Sequence, residues 1–152
     1  YFIIVTLLLV ALLSGVEIFG FPTAKGYLSY SVFGIQEFKS ADAATLGKAQ
    51  NFQRSVLFYF VIGLVLFTYY VMMSYKNLKK QFKLARLVFG FYFIGLVIIL
   101  VLGSIGLIAP KAIGIQLGLG YYLCVVGLPF SYFALKGVQK DKEILESLDR
   151  LR

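Results

Sequence analysis

Apolar positions along this chain come as four unbroken blocks, 1–21, 55–74, 87–109 and 112–135, rather than alternating with polar ones. Each block reaches about 20 residues, enough for an α-helix to cross a hydrocarbon layer of about 30 Å at 1.5 Å per residue. The last three blocks hold no charged residue, and the first holds only Glu17, near its far end. Amides in lipid must be bonded within their own segment, so the pattern predicts four transmembrane helices despite their Val, Ile and Phe content. A soluble bundle would show a polar stripe on each helix, and none is visible. The expected fold is an all-α bundle of four transmembrane helices, 1–135, followed by an amphipathic cytoplasmic tail, 136–152.

The polar stretches set the orientation. An outer loop, 22–54, opens with an aromatic and β-branched run from Tyr27 to Phe38, whose partial alternation predicts a short strand or hairpin near the membrane surface. Its second half, 40–54, favours helix, with Ser40 or Asp42 as cap. An inner loop, 75–86, has five basic residues and no acidic one: Lys76, Lys79, Lys80, Lys83 and Arg86. The tail adds five basic residues beside four acidic ones, whereas the opposite side has Lys25, Lys39, Lys48, Arg54 and Lys111. Ten basic residues against five predict that both termini are cytoplasmic. Spans three and four turn around Pro110 amid glycines, so span four is open to start at Ala112 or nearer Leu117.

Composition supports the same picture. Of 152 residues, 60% are apolar and 14% charged, where an average soluble protein has about 25% charged. Mean hydropathy is +0.86. The net charge of +8 is explained by topology and by attraction to anionic lipid heads, with no need for nucleic acid. The first block is too long for a secretory leader and has no clear cleavage site. Because the chain opens at Tyr1 without Met, a short preceding segment is expected.

The chemistry on offer is sparse. No His is present, which removes the usual axial haem ligand, the commonest zinc ligand and any Ser-His-Asp arrangement. Cys124 is the single cysteine, placed mid-span. No cofactor or metal is expected, and the sequence argues against an enzyme. Glu17 is the foremost candidate residue, because an acid at hydrocarbon depth is costly and such residues mark functional sites. Three readings remain open for it: an interfacial acid that reaches water or pairs with Lys25 or Lys111 across the outer face, an internal structural pair, or part of a proton or ion relay. Gly114 and Gly118 have the G-x-x-x-G spacing of a close helix-packing face. Gln116, nearby, is one of few polar groups near the spans. In the tail, Ile144, Leu145, Leu148 and Leu151 mark one apolar edge of a helix and form a candidate docking surface.

Two stretches, Lys76-Asn-Leu-Lys-Lys-Gln-Phe-Lys-Leu-Ala-Arg86 and the ending Gln139-Lys-Asp-Lys-Glu-Ile-Leu-Glu-Ser-Leu-Asp-Arg-Leu-Arg152, resemble a family of small four-span membrane proteins of unknown function from Bacteroidota. Members typically end in a Lys-Asp-Glu-like segment and Asp-Arg-Leu-Arg, seen here as Lys140-Asp-Lys-Glu143 and Asp149–Arg152. Leu12-Leu-Ser-Gly15 also fits, while the outer loop matches only in length. The short basic segment that usually precedes the first span is missing. The resemblance implies the inner membrane of a didermic bacterium and supplies no activity. The leading expectation is a non-enzymatic accessory or scaffold subunit of a larger inner-membrane assembly, in contact with lipids and other integral membrane subunits. A small channel or transporter working as a homo-oligomer is the second, and a lipid- or quinone-binding protein the third.

Overall fold

The computed structural model describes residues 1–23, 26–38, 51–108 and 113–150, with the side chains of 51–54, 106–108 and 148–150 left aside. Four helices form a bundle and an antiparallel sheet caps one end of it.

The expected helix over 1–21 stops early. Helix α1 covers Phe2–Leu12, and Glu17–Thr23 is instead strand β1. The eleven described residues of α1 reach about 16 Å. The break falls at Gly15, whose φ of 85° is a left-handed conformation that glycine adopts freely. Beyond it, the strand's amides are satisfied sideways rather than along a helix. Strand β1 pairs with β2 (Gly26–Ser31), with Phe19 opposite Tyr30 and Thr23 opposite Gly26. The expected strand or hairpin over 27–38 is present: β2 turns through Val32 and Phe33 into β3 (Gly34–Phe38).

The expected helix over 40–54 lies outside the described residues up to 50, and Asn51–Arg54 is strand β4, paired with β3. An open sheet edge supplies hydrogen-bond partners that override weak helical preference. A two-residue strand, β5 (Gln116–Leu117), pairs with β1, giving the order β4-β3-β2-β1-β5.

Helix α2, Val56–Met73, falls within one residue of the expected span at each end. Ser55 caps it, its Oγ accepting from the Leu57 amide at 3.1 Å. The basic loop expected over 75–86 is largely helical. A 3-10 turn at Ser74–Lys76 leads to Asn77, whose Oδ1 accepts from the Lys80 amide at 3.1 Å and starts helix α3, Leu78–Ile108. Buried Gln81, Ala85 and Val88 recur at i, i+4 and i+7, an edge that binds these first turns to the bundle. Helix α4, Leu119–Arg150, joins the fourth span and the tail in one rod of about 48 Å. It begins at Leu119, near the later of the two starts the sequence left open.

One core runs through both parts of the molecule. Val5, Leu9 and Leu12 of α1 pack with Leu57, Val61, Tyr92, Ile99 and Cys124 of the other helices, and Ile18, Phe19 and Val32 of the sheet continue the cluster. Among the described residues three helices are long and apolar enough to cross a membrane, and each buries only 28% of its apolar window inside the chain. The remaining apolar surface points outward, as lipid contact requires. The ring of Tyr1 lies 5.8 Å from that of Phe133, so the first residue sits beside α4 just before its charged half, opposite the sheet.

Candidate functional site

Glu17 does not ride on a transmembrane helix. It opens β1 where the sheet meets the bundle, half-buried, at a register shift between Glu17 and Phe19. Alternation along β2 puts Tyr27, Ser29 and Ser31 on one face. From that face the Tyr27 hydroxyl donates to Glu17 Oε1 at 2.5 Å, and the Ser29 hydroxyl donates to Oε2 at 2.9 Å. Tyr27 pairs with Pro22 in the backbone ladder, so its ring must run diagonally along β1 to reach Glu17. Gly20 leaves that path open, since a Cβ there would run into the Tyr27 hydroxyl.

A phenol has one proton, and the 2.5 Å contact takes it. Gln116 Oε1, from β5, is a second acceptor for the same hydroxyl, at the longer distance of 3.5 Å. On the other side the chain crosses close above Glu17. The Gly118 amide donates to the Ile18 carbonyl at 2.9 Å, and a Cβ on Gly118 would meet the Glu17 carbonyl oxygen. A single carboxylate therefore ties β1 to β2 beside the start of α4. Among the described residues no cation pairs with it; Lys25 and Lys111 lie outside them.

The expected G-x-x-x-G helix face is corrected by these contacts. Gly114 and Gly118 both precede α4. Among the described residues a Cβ on Gly114 would meet nothing within 4 Å, whereas one on Gly118 would meet a strand. Sequence reasoning missed Tyr27, Ser29 and Gly20; the signal available was the alternation Tyr27-Leu28-Ser29.

Burial first, then the hydrogen bond to Glu17 and its negative charge, hold the Tyr27 phenol above its ordinary value of 10.0. The folded chain keeps this proton after an unfolded one has lost it, so the contribution to stability is complete below pH of about 10 and is lost as pH rises further. Thermal melts at about pH 8 and about pH 10.5 are expected to show a larger loss for wild type than for Tyr27→Phe. Equal losses would remove Tyr27 from the account.

The other candidates lie at the far end. Lys76, Lys79, Lys80, Lys83 and Arg86 are all exposed. Lys80 Nζ donates to the Tyr70 hydroxyl at 3.0 Å, and Arg86 and Lys142 stand 5.1 and 5.4 Å from the Phe82 ring centre. In the tail, Ile144 and Leu145 are 49% and 52% exposed on α4. The side chain of Leu148 and all of Leu151 lie outside the described residues.

Between the helices is a cavity of about 30 Å³ walled by Leu9, Leu12, Val61, Leu96, Ile99 and Cys124, among others. That is about a tenth of the smallest ordinary ligand site. Beside it the Tyr92 hydroxyl donates to the Cys124 carbonyl at 3.2 Å.

The arrangement defines a class: a helical membrane protein whose bundle is closed at one end by a small sheet and bears cations at the other. A model of the family described as a domain of unknown function, DUF4293, matches residues 1–151, and the chain belongs to that family. The expected resemblance holds at this level, that of an uncharacterised domain family. No curated protein and no solved structure matches the chain.

Proposed function

We propose that this protein is a non-enzymatic accessory or scaffold subunit of a larger assembly in a bacterial inner membrane, with both ends of the chain in the cytoplasm. The observation that carries the reading is the continuity of α4. Its 32 residues exceed a bilayer core by about 18 Å. The surplus, led by Lys136, stands clear of the apolar region as a charged helix with Ile144 and Leu145 uncovered. The positive-inside count supports the cytoplasmic placement of that end.

The geometry of Glu17 favours this reading over a channel or transporter. Both carboxylate oxygens are taken by hydroxyls of the neighbouring strand, which suits a fastening better than a relay. The small interior cavity weighs against a quinone site.

Extraction in mild detergent is expected to bring down stoichiometric companions. Replacing Ile144 and Leu145 by Glu should strip them while leaving the melting temperature within about 2 °C, because surface changes usually stay within about 0.5 kcal/mol. Companions retained by that variant would remove the tail as a docking surface, and a lone chain after gentle extraction would sink the subunit reading.

A further inference from the structure

We propose that a second copy of this chain pairs with the outer edge of β5, so that two sheets join across a two-fold axis centred on Gln116. Strand β5 is the last in the order β4-β3-β2-β1-β5, and among the described residues no strand lies beyond it. Its inner edge is engaged with β1. The Gly118 amide donates to the Ile18 carbonyl, and Gln116 stands opposite Gly20 in the same register. Hydrogen-bonded and non-bonded pairs alternate along an antiparallel ladder. Leu117, opposite Phe19, and Ile115, two residues before it, therefore turn their own N–H and C=O groups away from β1.

The depth of β5 makes that bare edge costly. The uncharged part of α4, 119–135, reaches about 25 Å at 1.5 Å per residue, and Lys136 follows it. A hydrocarbon core of about 30 Å then extends past the start of the helix, to the level of the strand just before it. The side chains agree. Ile113, Ile115, Leu117 and Leu119 alternate along this segment and are 78%, 39%, 47% and 63% exposed. Ile115 and Leu117 share the sheet face of Phe19 and Phe21, which packs into the core, yet they remain uncovered. Lipid can cover these side chains. It cannot satisfy the backbone beside them, since hydrocarbon offers no hydrogen-bond partner and open sheet edges do not occur in it.

A second copy meets that need without adjustment. Copies inserted the same way round hold β5 at the same depth. A two-fold axis sets the strand antiparallel to its copy, the sense of every pairing already in the sheet. Centred on Gln116, the axis places Ile115 of each copy opposite Leu117 of the other. These residues carry the outward groups, so each pair exchanges both hydrogen bonds and the apolar side chains meet on one face. Gln116 then faces itself in a non-bonded pair, with Cα atoms about 4.5 Å apart. The pairing needs no other companion, so it stands or falls separately from the subunit reading: a homodimer extracted alone would sink that reading and uphold this one.

The test is disulfide cross-linking of the full chain in isolated membranes. Gln116→Cys would put one thiol of each copy at the axis, within disulfide reach, whereas Gly114→Cys would hold the thiols about 14 Å apart at 3.4 Å per residue. Among the described residues a Cβ at Gly114 meets nothing within 4 Å, so this control fits the fold. Cys124 is buried and should not react. Mild oxidation is expected to give about tenfold more dimer from Gln116→Cys than from Gly114→Cys or wild type. Adding Ile115→Pro removes an outward N–H that β1 does not use, and should cut the Gln116→Cys dimer about tenfold. Little dimer from Gln116→Cys, equal dimer from both cysteine variants, or an undiminished yield with Ile115→Pro would overturn the proposal. Should the proline variant fail to accumulate, the two cysteine variants decide alone.

Discussion

Replacing Gly118 by Ala is expected to cost about 3 kcal/mol, at the upper end of what overpacking does. The added methyl would fall on the Glu17 carbonyl oxygen, and its next contact is the Glu17 carbonyl carbon, so the obstacle is backbone and not the end of a flexible side chain. Relief requires the chain before α4 to move away from β1. That motion breaks the hydrogen bond from the Gly118 amide to the Ile18 carbonyl and disturbs the one from the Tyr121 amide to the Gly118 carbonyl, which opens α4. Gly63 and Gly90 are the controls. A Cβ at either meets nothing within 4 Å, and both lie inside helices. Alanine there should be neutral or stabilise by up to about 1 kcal/mol. Melting of the three variants in one detergent separates the cases: a Gly118→Ala protein as stable as Gly63→Ala would mean that β1 and α4 do not meet as described.

Hydropathy made α2 and most of α3 legible, because a long uncharged run has few other solutions than a spanning helix. It failed on the first block for a physical reason. Summed apolarity does not distinguish a helix from a helix followed by a buried strand, and the strand in 17–23 exists only because residues 26–31 and 116–117 pair with its two edges. The punctuation was there to be read in Gly15, Gly20 and Pro22, but each is tolerated singly near a helix end. The basic segment misled in the opposite direction. Charge suggested a loop, whereas Asn77 and the edge formed by Gln81, Ala85 and Val88 make a helix that shows its lysines to water. The spacing of Gly114 and Gly118 suggested a helix face, whereas Gly118 precedes α4 and lies against strand β1, since that spacing says nothing about whether a helix has yet begun. The family resemblance reached the right kind of family, and no residue role came with it.

These differences also change what an acid in an apolar block means. Read as part of a helix, Glu17 is a charge in lipid that asks for an ion or a proton. Placed at a strand end, it is an acceptor answering two buried hydroxyls, with Tyr27 3% and Ser29 9% exposed. The energetic problem is then the hydroxyls' as much as the acid's, because either would be left without an acceptor if the carboxylate were removed.

Glu17→Ala is accordingly expected to lose about 3 kcal/mol, from two charge-assisted hydrogen bonds and the stranding of their donors. Glu17→Gln should lose about 1 kcal/mol, since one oxygen still accepts and the amide can donate to the other hydroxyl oxygen. In a double-mutant cycle with Tyr27→Phe, the coupling between residues 17 and 27 should exceed about 1 kcal/mol, because they share the 2.5 Å contact. The ion-relay alternative predicts a different pattern. For a relay, the Gln variant would fold as wild type does and abolish ion flux in liposomes; for a fastening, both variants shift the melting transition and leave flux where it was. Unaltered melting together with lost flux would overturn the structural role of Glu17 and bring back the transporter reading, and a coupling near zero would dissolve the pair on which the closure of the sheet over the bundle depends.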